Sequence, residues 1–434
     1  MLHQIYSAAG YVGYSLIKLL LPLLRALGGR LAYGLDQRLG RYPNLAHFDE
    51  RRPRVWIHAA SVGEVQAAGI LIDELSRAGC PPNMVLTSTT EQGHKFARTR
   101  IPSQVPALMA PLDMPQAVGR ALKTIRPDLY ICLETELWPV VLTQLRRAGV
   151  GMLLLNGRLS QRSFRRYSMA KGYMATLFAG FDAVAAISHE DASRFAALGA
   201  PAARLHICGN IKYDMQADDP DGIRQAGRQR LSVDGETVLL CGSTHEGEEQ
   251  ALLQTYSELA QQRPLVWVVA PRHLERIEAV KALFDRSGLD YALWSSLKTG
   301  TRRASVVLVD TMGELADLYA AGDFLFCGGS LVDRGGHNIM EAARWGRPVF
   351  FGPGMKDFAD AAAALKRAGG GYQVAGAGEL AAGIQALWDD PQRYAQVCVQ
   401  ASAVAASQRG SVNKQAELVR AMLARCRKIE AAPF

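Results

Sequence analysis

The stretch Gly328–Pro353, GGSLVDRGGHNIMEAARWGRPVFFGP, decides the fold class of this chain. The apolar run before it, Phe324–Cys327, predicts a buried strand that ends in a glycine pair. A second pair, Gly335–Gly336, opens a helical pattern over His337–Trp345, and another strand, Pro348–Phe351, follows. Backbone N–H groups at a helix start attract anions. This order is typical of a nucleotide or sugar-phosphate site at the carboxyl edge of an α/β sheet.

Three side chains in the same stretch are candidates for ligand contacts. His337 and Asn338 add donors at the predicted helix start, and Glu341, one turn later, can accept hydrogen bonds from sugar hydroxyls. The alternative is an ordinary strand–turn–helix unit whose glycines serve only tight turns. The concentration of glycines, a histidine and a glutamate in so short a span favours the binding site.

Composition limits the classes of function. The 434 residues suggest two or three domains, and the net charge of +8 favours anionic partners. Neither zinc-finger spacing nor an aromatic–basic RNA motif is present, so we expect a phosphorylated substrate or an acidic phospholipid surface and no nucleic acid. The seven cysteines are scattered without a CxxC pair, which is typical of reduced, cytosolic proteins.

The N-terminal stretch Tyr6–Leu35 is apolar but is interrupted by Lys18, Pro22, Arg25 and Arg30. These interruptions make it a poor membrane-spanning helix and favour a helix that lies in the membrane interface. Two alternatives stay open: a core helix that packs on the first domain, and a weakly spanning anchor.

After Pro53, strands alternate with helices, as in a doubly wound parallel sheet. The alternation pauses at a polar linker, Gln216–Glu236, and then restarts, so we expect two α/β domains and a cleft between them. Strands are predicted at Val55–Ala59, Met84–Ser88, Leu129–Leu133, Met152–Asn156, Ala183–Ile187, Thr237–Cys241, Leu265–Val269, Val306–Val309, Phe324–Cys327 and Val349–Phe351. Asn413–Lys428 reads as a separate amphipathic helix.

Six polar clusters follow predicted strands, where α/β folds place ligand groups. They are HAASVGEV (His58–Val65), ETELWP (Glu134–Pro139), NGRLS (Asn156–Ser160), GNIKYD (Gly209–Asp214), GSTHEGEE (Gly242–Glu249) and APRHLER (Ala270–Arg276). In the first cluster Ser61 can cap the next helix and Gly63 lets a ligand approach closely. Glu64 is either a general base or only the acidic member of a capping box. HExxH is absent and no DxD-type pair stands out as a metal site, so we expect no obligatory metal and no cofactor.

The chain resembles the 3-deoxy-D-manno-octulosonic acid (Kdo) transferases of Gram-negative lipopolysaccharide synthesis. The likeness runs in order through ASVGEV, ETELWP, NGRLS, GNIKYD, STHEGEE, PRHLER, DTMGEL and GGSLVDRGGHNIMEAA. It implies a GT-B fold, in which two Rossmann-like domains face a central cleft, with an N-terminal membrane-associating helix. The boundaries that follow are a membrane segment over 1–35, an acceptor domain over 36–215, a donor domain over 216–412 and a C-terminal helix over 413–434.

The resemblance also implies an inverting transfer of Kdo from CMP-Kdo to a lipid A precursor (lipid IVA) at the cytoplasmic face of the inner membrane. It makes Glu64 the general base and Glu134 a second acidic group near the acceptor. With the clusters above, the predicted donor-binding residues are Lys212, Ser243, Thr244, Arg272, His273, Gly336, His337, Asn338 and Glu341. The predicted acceptor-side residues are Ser61, Gly63 and Arg158. Two alternatives remain: a GT-B enzyme that uses a UDP-sugar, and a membrane-surface scaffold without catalytic activity.

Overall fold

The computed structural model describes residues 2–27, 32–45, 48–77, 81–214, 219–298 and 300–430, with backbone only for residues 2, 27 and 426–430. Arg30 and the beginning of the predicted linker therefore lie outside the described residues. The chain divides into two compact units. Unit 1 consists of Met1–Asp214 and Gly410–Phe434, and unit 2 consists of Met215–Arg409.

Unit 1 contains a seven-stranded parallel sheet in the order β3-β2-β1-β4-β5-β6-β7. Its strands are β1 Arg54–His58, β2 Asn83–Ser88, β3 Ala107–Met109, β4 Leu129–Leu133, β5 Gly151–Gly157, β6 Ala183–Ala186 and β7 Leu205–Ile207. The strand order reverses between β1 and β4. The loops that follow those two strands therefore diverge to opposite sides of the sheet and leave a crevice, which is where Rossmann-like sheets bind ligands.

Unit 2 repeats this arrangement in a second seven-stranded parallel sheet, in the order β10-β11-β9-β8-β12-β13-β14. Its strands are β8 Thr237–Thr244, β9 Leu265–Pro271, β10 Tyr291–Leu293, β11 Val306–Leu308, β12 Phe324–Cys327, β13 Val349–Phe351 and β14 Gly371–Gln373. The reversal here lies between β8 and β12, so the crevice of unit 2 opens where these two strands end.

Helices connect the strands of both units. In unit 1 they are α1 Leu2–Leu27, α2 Leu35–Arg38, α3 Val62–Ser76, α4 Glu91–Arg100, α5 Pro115–Ile125, α6 Pro139–Arg147, α7 Gln161–Ser168, α8 Lys171–Phe178 and α9 His189–Ala197. In unit 2 they are α10 Pro220–Arg230, α11 Glu248–Ala260, α12 Ile277–Arg286, α13 Leu315–Leu318, α14 Met340–Ala343, α15 Ala359–Ala368, α16 Ala377–Trp388 and α17 Pro391–Ala406. The last helix, α18 Ser411–Glu430, returns to unit 1.

The central strands are apolar throughout because helices cover both faces of each sheet. In unit 1, Trp56 and Tyr130 pack edge to face on one side of the sheet, with ring centres 5.1 Å apart. Ile57 and Ile131, the next residues along the same strands, are fully buried on the other side. This two-sided burial confirms the continuous apolar runs as parallel strands.

Four strands were missed by the sequence analysis: β3, β7, β10 and β14. Each has only three residues, and each lies at an edge of its sheet. An edge strand has one neighbour and is partly open to solvent, so it needs no continuous apolar run. The pattern that revealed the central strands is therefore absent from the edges.

Two helix predictions need correction. The helix expected over His337–Trp345 is a single turn, α14, so the glycine pair before it does not open a long helix. The C-terminal helix is not a separate segment, because Ala416 and Val419 are buried in the unit 1 core beside Val55. Its apolar stripe packs on the sheet and is not free for another partner.

Candidate active site

In unit 1, the crevice between β1 and β4 contains the first predicted acidic residue, Glu64, in the first turn of α3. Its Oε2 accepts from the backbone N–H of Ala60 at 2.7 Å, and its Oε1 accepts from the hydroxyl of Ser61 at 2.8 Å. Ser61 in return accepts from the backbone N–H of Glu64 at 3.4 Å. This is a variant of the capping box, in which the carboxylate accepts from the backbone N–H one residue before the N-cap Ser61, so the helix-capping role considered for Glu64 is present.

The pKa of Glu64 differs from that of a glutamate that only caps a helix. Burial of the side chain and, to a smaller extent, the charge of Glu134 together raise the pKa of Glu64 to about 7. A surface capping glutamate is ionised with an ordinary pKa near 4.3. A carboxylate with a pKa near neutrality is matched to exchanging a proton with a substrate at physiological pH.

Glu134 directly follows β4 and has a positive φ of 57°, which is uncommon for a residue with a side chain. Its backbone N–H donates to the carbonyl of Leu155 on the neighbouring strand at 2.9 Å, which holds this conformation. Its carboxylate forms an ion pair with the ammonium of Lys212, and both side chains are about four-fifths buried. Asn156 and Ser243, at the ends of β5 and β8, also have positive φ values, of 52° and 56°. Backbone strain of this kind clusters at functional sites.

Lys212 lies beside the acidic residues of unit 1, although the sequence analysis grouped it with the donor-binding residues. A short turn, Ile211–Tyr213, carries it, and its backbone N–H donates to Asn210 Oδ1 at 3.0 Å. A Cβ atom placed on Gly63 would lie 3.4 Å from the Lys212 ammonium. Gly63 therefore keeps open the space between the start of α3 and this cation.

The loops that carry these groups are tied together by side chains that sequence reasoning missed. Gln415 of α18 accepts from the backbone N–H of Asn156 at 2.7 Å and donates to the carbonyl of Gly209 at 3.0 Å. The carbonyl of Arg158 accepts from the hydroxyl of Thr135, which joins the loop after β5 to the loop of Glu134. Gln415 is more than 250 residues away from Asn156 in sequence, so no local signal marked it.

In unit 2, Ser243 and Thr244 end β8 at a bulge. Both were predicted to bind the donor, and the prediction needs correction for Thr244. The hydroxyl of Thr244 is fully buried and donates to Glu249 Oε1 at 3.0 Å. Its side chain therefore positions Glu249 and does not face a ligand. Ser243, with its positive φ, turns the chain toward His245.

The glycine-rich turn after β12 is occupied by an internal anion, the carboxylate of Glu248. Its Oε2 accepts from the N–H groups of Gly329 at 2.6 Å and His245 at 2.9 Å. Its Oε1 accepts from the N–H groups of Ser330 at 3.0 Å and Leu331 at 2.9 Å. The structure therefore shows the N–H groups of this turn satisfied from within the protein, whereas the sequence predicted the anion site at the helix start after Gly335–Gly336. The sequence analysis included Glu248 only as a member of the cluster Gly242–Glu249 and gave it no role.

Five predicted residues of unit 2 surround the opening of the crevice. Arg272 and His273 follow β9 and are exposed. A Cβ atom on Gly336, which has φ 75°, would lie 2.5 Å from Met355 Sδ, so only glycine fits there. Asn338 donates to Glu341 Oε1 at 3.3 Å. Burial raises the pKa of Glu341, opposed by the charge of Arg344.

Each unit is thus a Rossmann-like domain with polar groups at its topological switch point, which defines the class of GT-B proteins. Solved structures agree with this fold. A UDP-GlcNAc 2-epimerase from Neisseria meningitidis is 14% identical, covers 86% of this chain and 100% of its own, and superposes with a TM-score of 0.54. A glycosyltransferase from Rickettsia africae is 12% identical and superposes with the same TM-score of 0.54. The match covers 86% of this chain and 99% of the glycosyltransferase.

Comparison with protein families then identifies the chain more closely. The family model described as 3-deoxy-D-manno-octulosonic-acid transferase (kdotransferase) matches residues 33–215. The transferase of that name from Haemophilus influenzae is 30% identical over 427 residues, which are 97% of this chain and 98% of the relative. The one from Bordetella pertussis is 33% identical over 350 residues, 78% and 80% of the two chains. The chain belongs to the Kdo transferase family, and it is a glycosyltransferase of lipopolysaccharide biosynthesis.

Proposed function

We propose that this enzyme transfers Kdo from CMP-Kdo to a hydroxyl of a lipid A precursor, lipid IVA, with inversion at the anomeric carbon. The observation that carries the proposal is the buried Glu64 in the first turn of α3, whose pKa is raised to about 7 by burial and by Glu134. A group of this kind can accept the proton of an attacking hydroxyl at neutral pH.

In the proposed reaction, the acceptor oxygen forms a bond to the anomeric carbon while the bond between that carbon and the CMP oxygen breaks. The hydroxyl proton passes to Glu64, and the bonding electrons leave with CMP. One base on the face opposite the leaving group is enough for inversion. The phosphate that leaves is already acidic, so it needs positive charge more than a proton donor.

Glu134 and Lys212 act in this proposal as a charged pair next to the base. The negative charge of Glu134 raises the pKa of Glu64, and the ammonium of Lys212 forms an ion pair with Glu134 in its partly buried position. Ser61 and Gly63 shape the acceptor side, where Gly63 leaves room for the sugar ring to approach. Arg158 lies on the loop joined to Glu134 through Thr135.

We assign the donor to unit 2, where the exposed Arg272 and His273 can face the phosphate of CMP-Kdo. The alanine substitution of Arg272 is expected to weaken CMP-Kdo binding by about 10- to 100-fold, because a charge-assisted hydrogen bond contributes about 1.5–3 kcal/mol and about 1.4 kcal/mol is tenfold. Isothermal titration measures this loss. Arg286→Ala, another arginine of unit 2 at the end of α12, is the matched control and should bind normally.

The same arrangement leads us to propose that no metal ion is obligatory, since arginine and histidine can supply the positive charge. Activity should therefore survive excess chelator, assayed after dialysis. Strict dependence on an added divalent ion would contradict this proposal and would require ligands from side chains not assigned here.

The proposed acceptor is acylated, so we also propose that α1 lies on the cytoplasmic face of the inner membrane. Among the described residues, His3–Ala26 is the one helical stretch long and apolar enough to span a membrane, and only 17% of it is buried. One side of α1, with Tyr14 and Leu21, packs against Ala117 of α5. The opposite side exposes Ile5, Tyr6, Tyr11, Val12, Leu16, Leu19, Leu20 and Leu23. The exposed Lys18 can meet an anionic headgroup, which contributes about 1 kcal/mol.

Replacing Leu16, Leu19 and Leu23 together by glutamine should weaken binding to anionic vesicles at least tenfold, measured by co-sedimentation. These side chains share one side of α1, and full burial of each would contribute about 1.5–3 kcal/mol. Because they are 53%, 76% and 55% exposed, their loss should leave the fold intact. The exposed residues Met312 and Val399 of unit 2, changed to glutamine, are the control. Unchanged co-sedimentation of the triple variant would place the membrane contact elsewhere.

The proposed reaction is tested by incubating the purified protein with CMP-Kdo and a tetraacylated lipid A precursor and reading the products by mass spectrometry. The expected product is heavier by one or more Kdo units. Turnover of a UDP-sugar and none of CMP-Kdo would favour a GT-B enzyme of another specificity. Binding of CMP-Kdo without any product would favour a membrane-surface scaffold.

A further inference from the structure

Two histidines from different loops meet at the switch point of unit 2. His245 follows β8 and His337 follows β12, and their Nε2 atoms lie 2.8 Å apart. The ring planes differ by 4° and the ring centres are 5.1 Å apart, so the rings meet edge to edge. This geometry fits a single N–H···N hydrogen bond, in which one ring donates its Nε2 proton and the other accepts it.

The backbone holds both rings in this position. The N–H of His245 donates to Glu248 Oε2, and the N–H of Gly329 donates to the same oxygen. A Cβ atom on Gly329, which has φ 68°, would lie 3.0 Å from His337 Cδ2 and 3.3 Å from His245 Cδ2. The glycine turn therefore packs directly against both imidazoles, and Glu248 fixes the turn and one of the histidines together.

The charged groups around the pair are mainly cationic. The ring of His273 contacts His245 edge to face, with ring centres 5.6 Å apart. The charges of Arg272, Arg276 and Arg334 act on His245. In the part of the chain that the structure describes, the side chains of Arg272 and Arg334 form no ion pair.

Most of the nearby carboxylates are already engaged. Glu246 and Glu249 both pair with Arg276, at 3.5 Å and 3.0 Å. Glu248 accepts four backbone N–H groups and Glu341 accepts from Asn338. The carboxylate of Asp357 lies against Gly335 and forms no ion pair among the described residues. Burial, followed by the charge of His245, lowers the pKa of His337 to about 4, and burial also lowers the pKa of His245. The pair is therefore neutral at pH 7 and lies in a field that favours an anion.

We propose that the His245–His337 pair is a proton-linked anion subsite, which takes up one proton when the phosphodiester of a cytidine nucleotide binds beside Arg272. This inference rests on the proposed function, whose donor carries a phosphodiester and a carboxylate. The proton comes from solvent and adds to Nδ1 of the ring that already donates through Nε2. That ring becomes an imidazolium and keeps its hydrogen bond, and no covalent bond other than N–H forms.

The direction of the pH dependence follows from linkage. Without the anion the pair protonates only at low pH, and the bound negative charge raises that pKa. At a pH between the pKa of the free pair and the pKa of the pair with bound anion, the bound state holds one more proton than the free state. Affinity for the anion therefore increases as pH falls, by up to about tenfold per pH unit. At a pH above both pKa values, the affinity no longer depends on pH.

The experiment uses the full chain and the methyl ester of CMP as the probe. Its diester phosphate has a constant charge, whereas CMP itself is a monoester that titrates near pH 6 and would obscure the result. Isothermal titration at several pH values from 5 to 8, in two buffers of different ionisation enthalpy, measures the protons taken up. We expect uptake that approaches one proton per ligand as pH falls, with a matching rise in affinity.

The variants His245→Gln and His337→Gln should each bind the ester with little or no proton uptake and a flat pH profile. His189→Gln, at the start of α9 in unit 1, is the matched control and should behave as the wild type. Thermal melts check that each variant is folded. The proposal would be overturned by any of three results: proton uptake that persists in both variants, no proton uptake in the wild type, or no binding of the ester. Proton-linked binding without Kdo transfer to any acceptor would instead refute only the proposed function.

Discussion

Replacing Glu64 by glutamine is expected to lower turnover by ~10²-fold or more, because general base catalysis contributes on that scale. Glutamine is also an accepted partner in a capping box, so its side-chain oxygen can still cap α3. The variant therefore separates the observed helix-capping contacts of this residue from its proposed catalytic role. Turnover is measured with CMP-Kdo and the acylated acceptor, and CMP binding should be nearly unchanged.

The pH profile gives a second measure of the same residue. A general base acts only when it is deprotonated, and burial, with the charge of Glu134, raises the pKa of Glu64 to about 7. We therefore expect kcat/KM of the wild type to fall as pH decreases below about 7 and to level off above it. The residual activity of the glutamine variant should lack this step.

The control for Glu64 is Glu91→Gln, which changes another glutamate in the first turn of a helix, α4. Glu91 is only partly buried and pairs with the exposed Lys95 at 2.7 Å. Its replacement should leave turnover and the pH profile as in the wild type. Near-normal turnover of Glu64→Gln would reduce Glu64 to a helix cap and remove it from the reaction.

Glu248→Ala is expected to destabilise the crevice of unit 2 by at least about 3 kcal/mol, since each buried donor left without a partner costs about 1–3 kcal/mol. The substitution would leave the N–H groups of Gly329, Ser330, Leu331 and His245 without their acceptor. Hydrogen exchange, followed by mass spectrometry on peptides that cover this turn, should show these amides exchanging ~10²-fold faster. Urea unfolding should begin at a lower concentration.

The matched control lies two residues away. Glu246 is 85% exposed and contacts Arg276 only at 3.5 Å, so Glu246→Gln should leave both measurements unchanged. Glu248→Gln tests the charge, because its amide can accept on one side but presents N–H groups to the donors on the other. Normal protection of the turn in Glu248→Ala would show that water replaces the carboxylate and that Glu248 is not needed there.

The central strands could be predicted from sequence because burial on both faces requires unbroken apolar runs. Leu129–Leu133 and Phe324–Cys327 were predicted with their observed bounds. The edge strands, such as Leu205–Ile207, could not, since a strand with one neighbour has no such requirement. The family, too, was evident from sequence, because its motifs follow strands in order and depend on local chain positions.

The local pattern of residues is enough to predict two Rossmann-like domains, the Kdo transferase family and the loops that carry polar groups. Which of those groups meet depends on the tertiary structure. Lys212 pairs with Glu134 because the loops that follow β7 and β4 meet at the carboxyl edge of the sheet. His245 pairs with His337 because β8 and β12, far apart in sequence, are neighbours at a switch point. The tertiary structure also places the carboxylate of Glu248 in the glycine turn after β12. Hydrogen bonds and pKa shifts depend on distance and burial, and neither is encoded in the local pattern of residues.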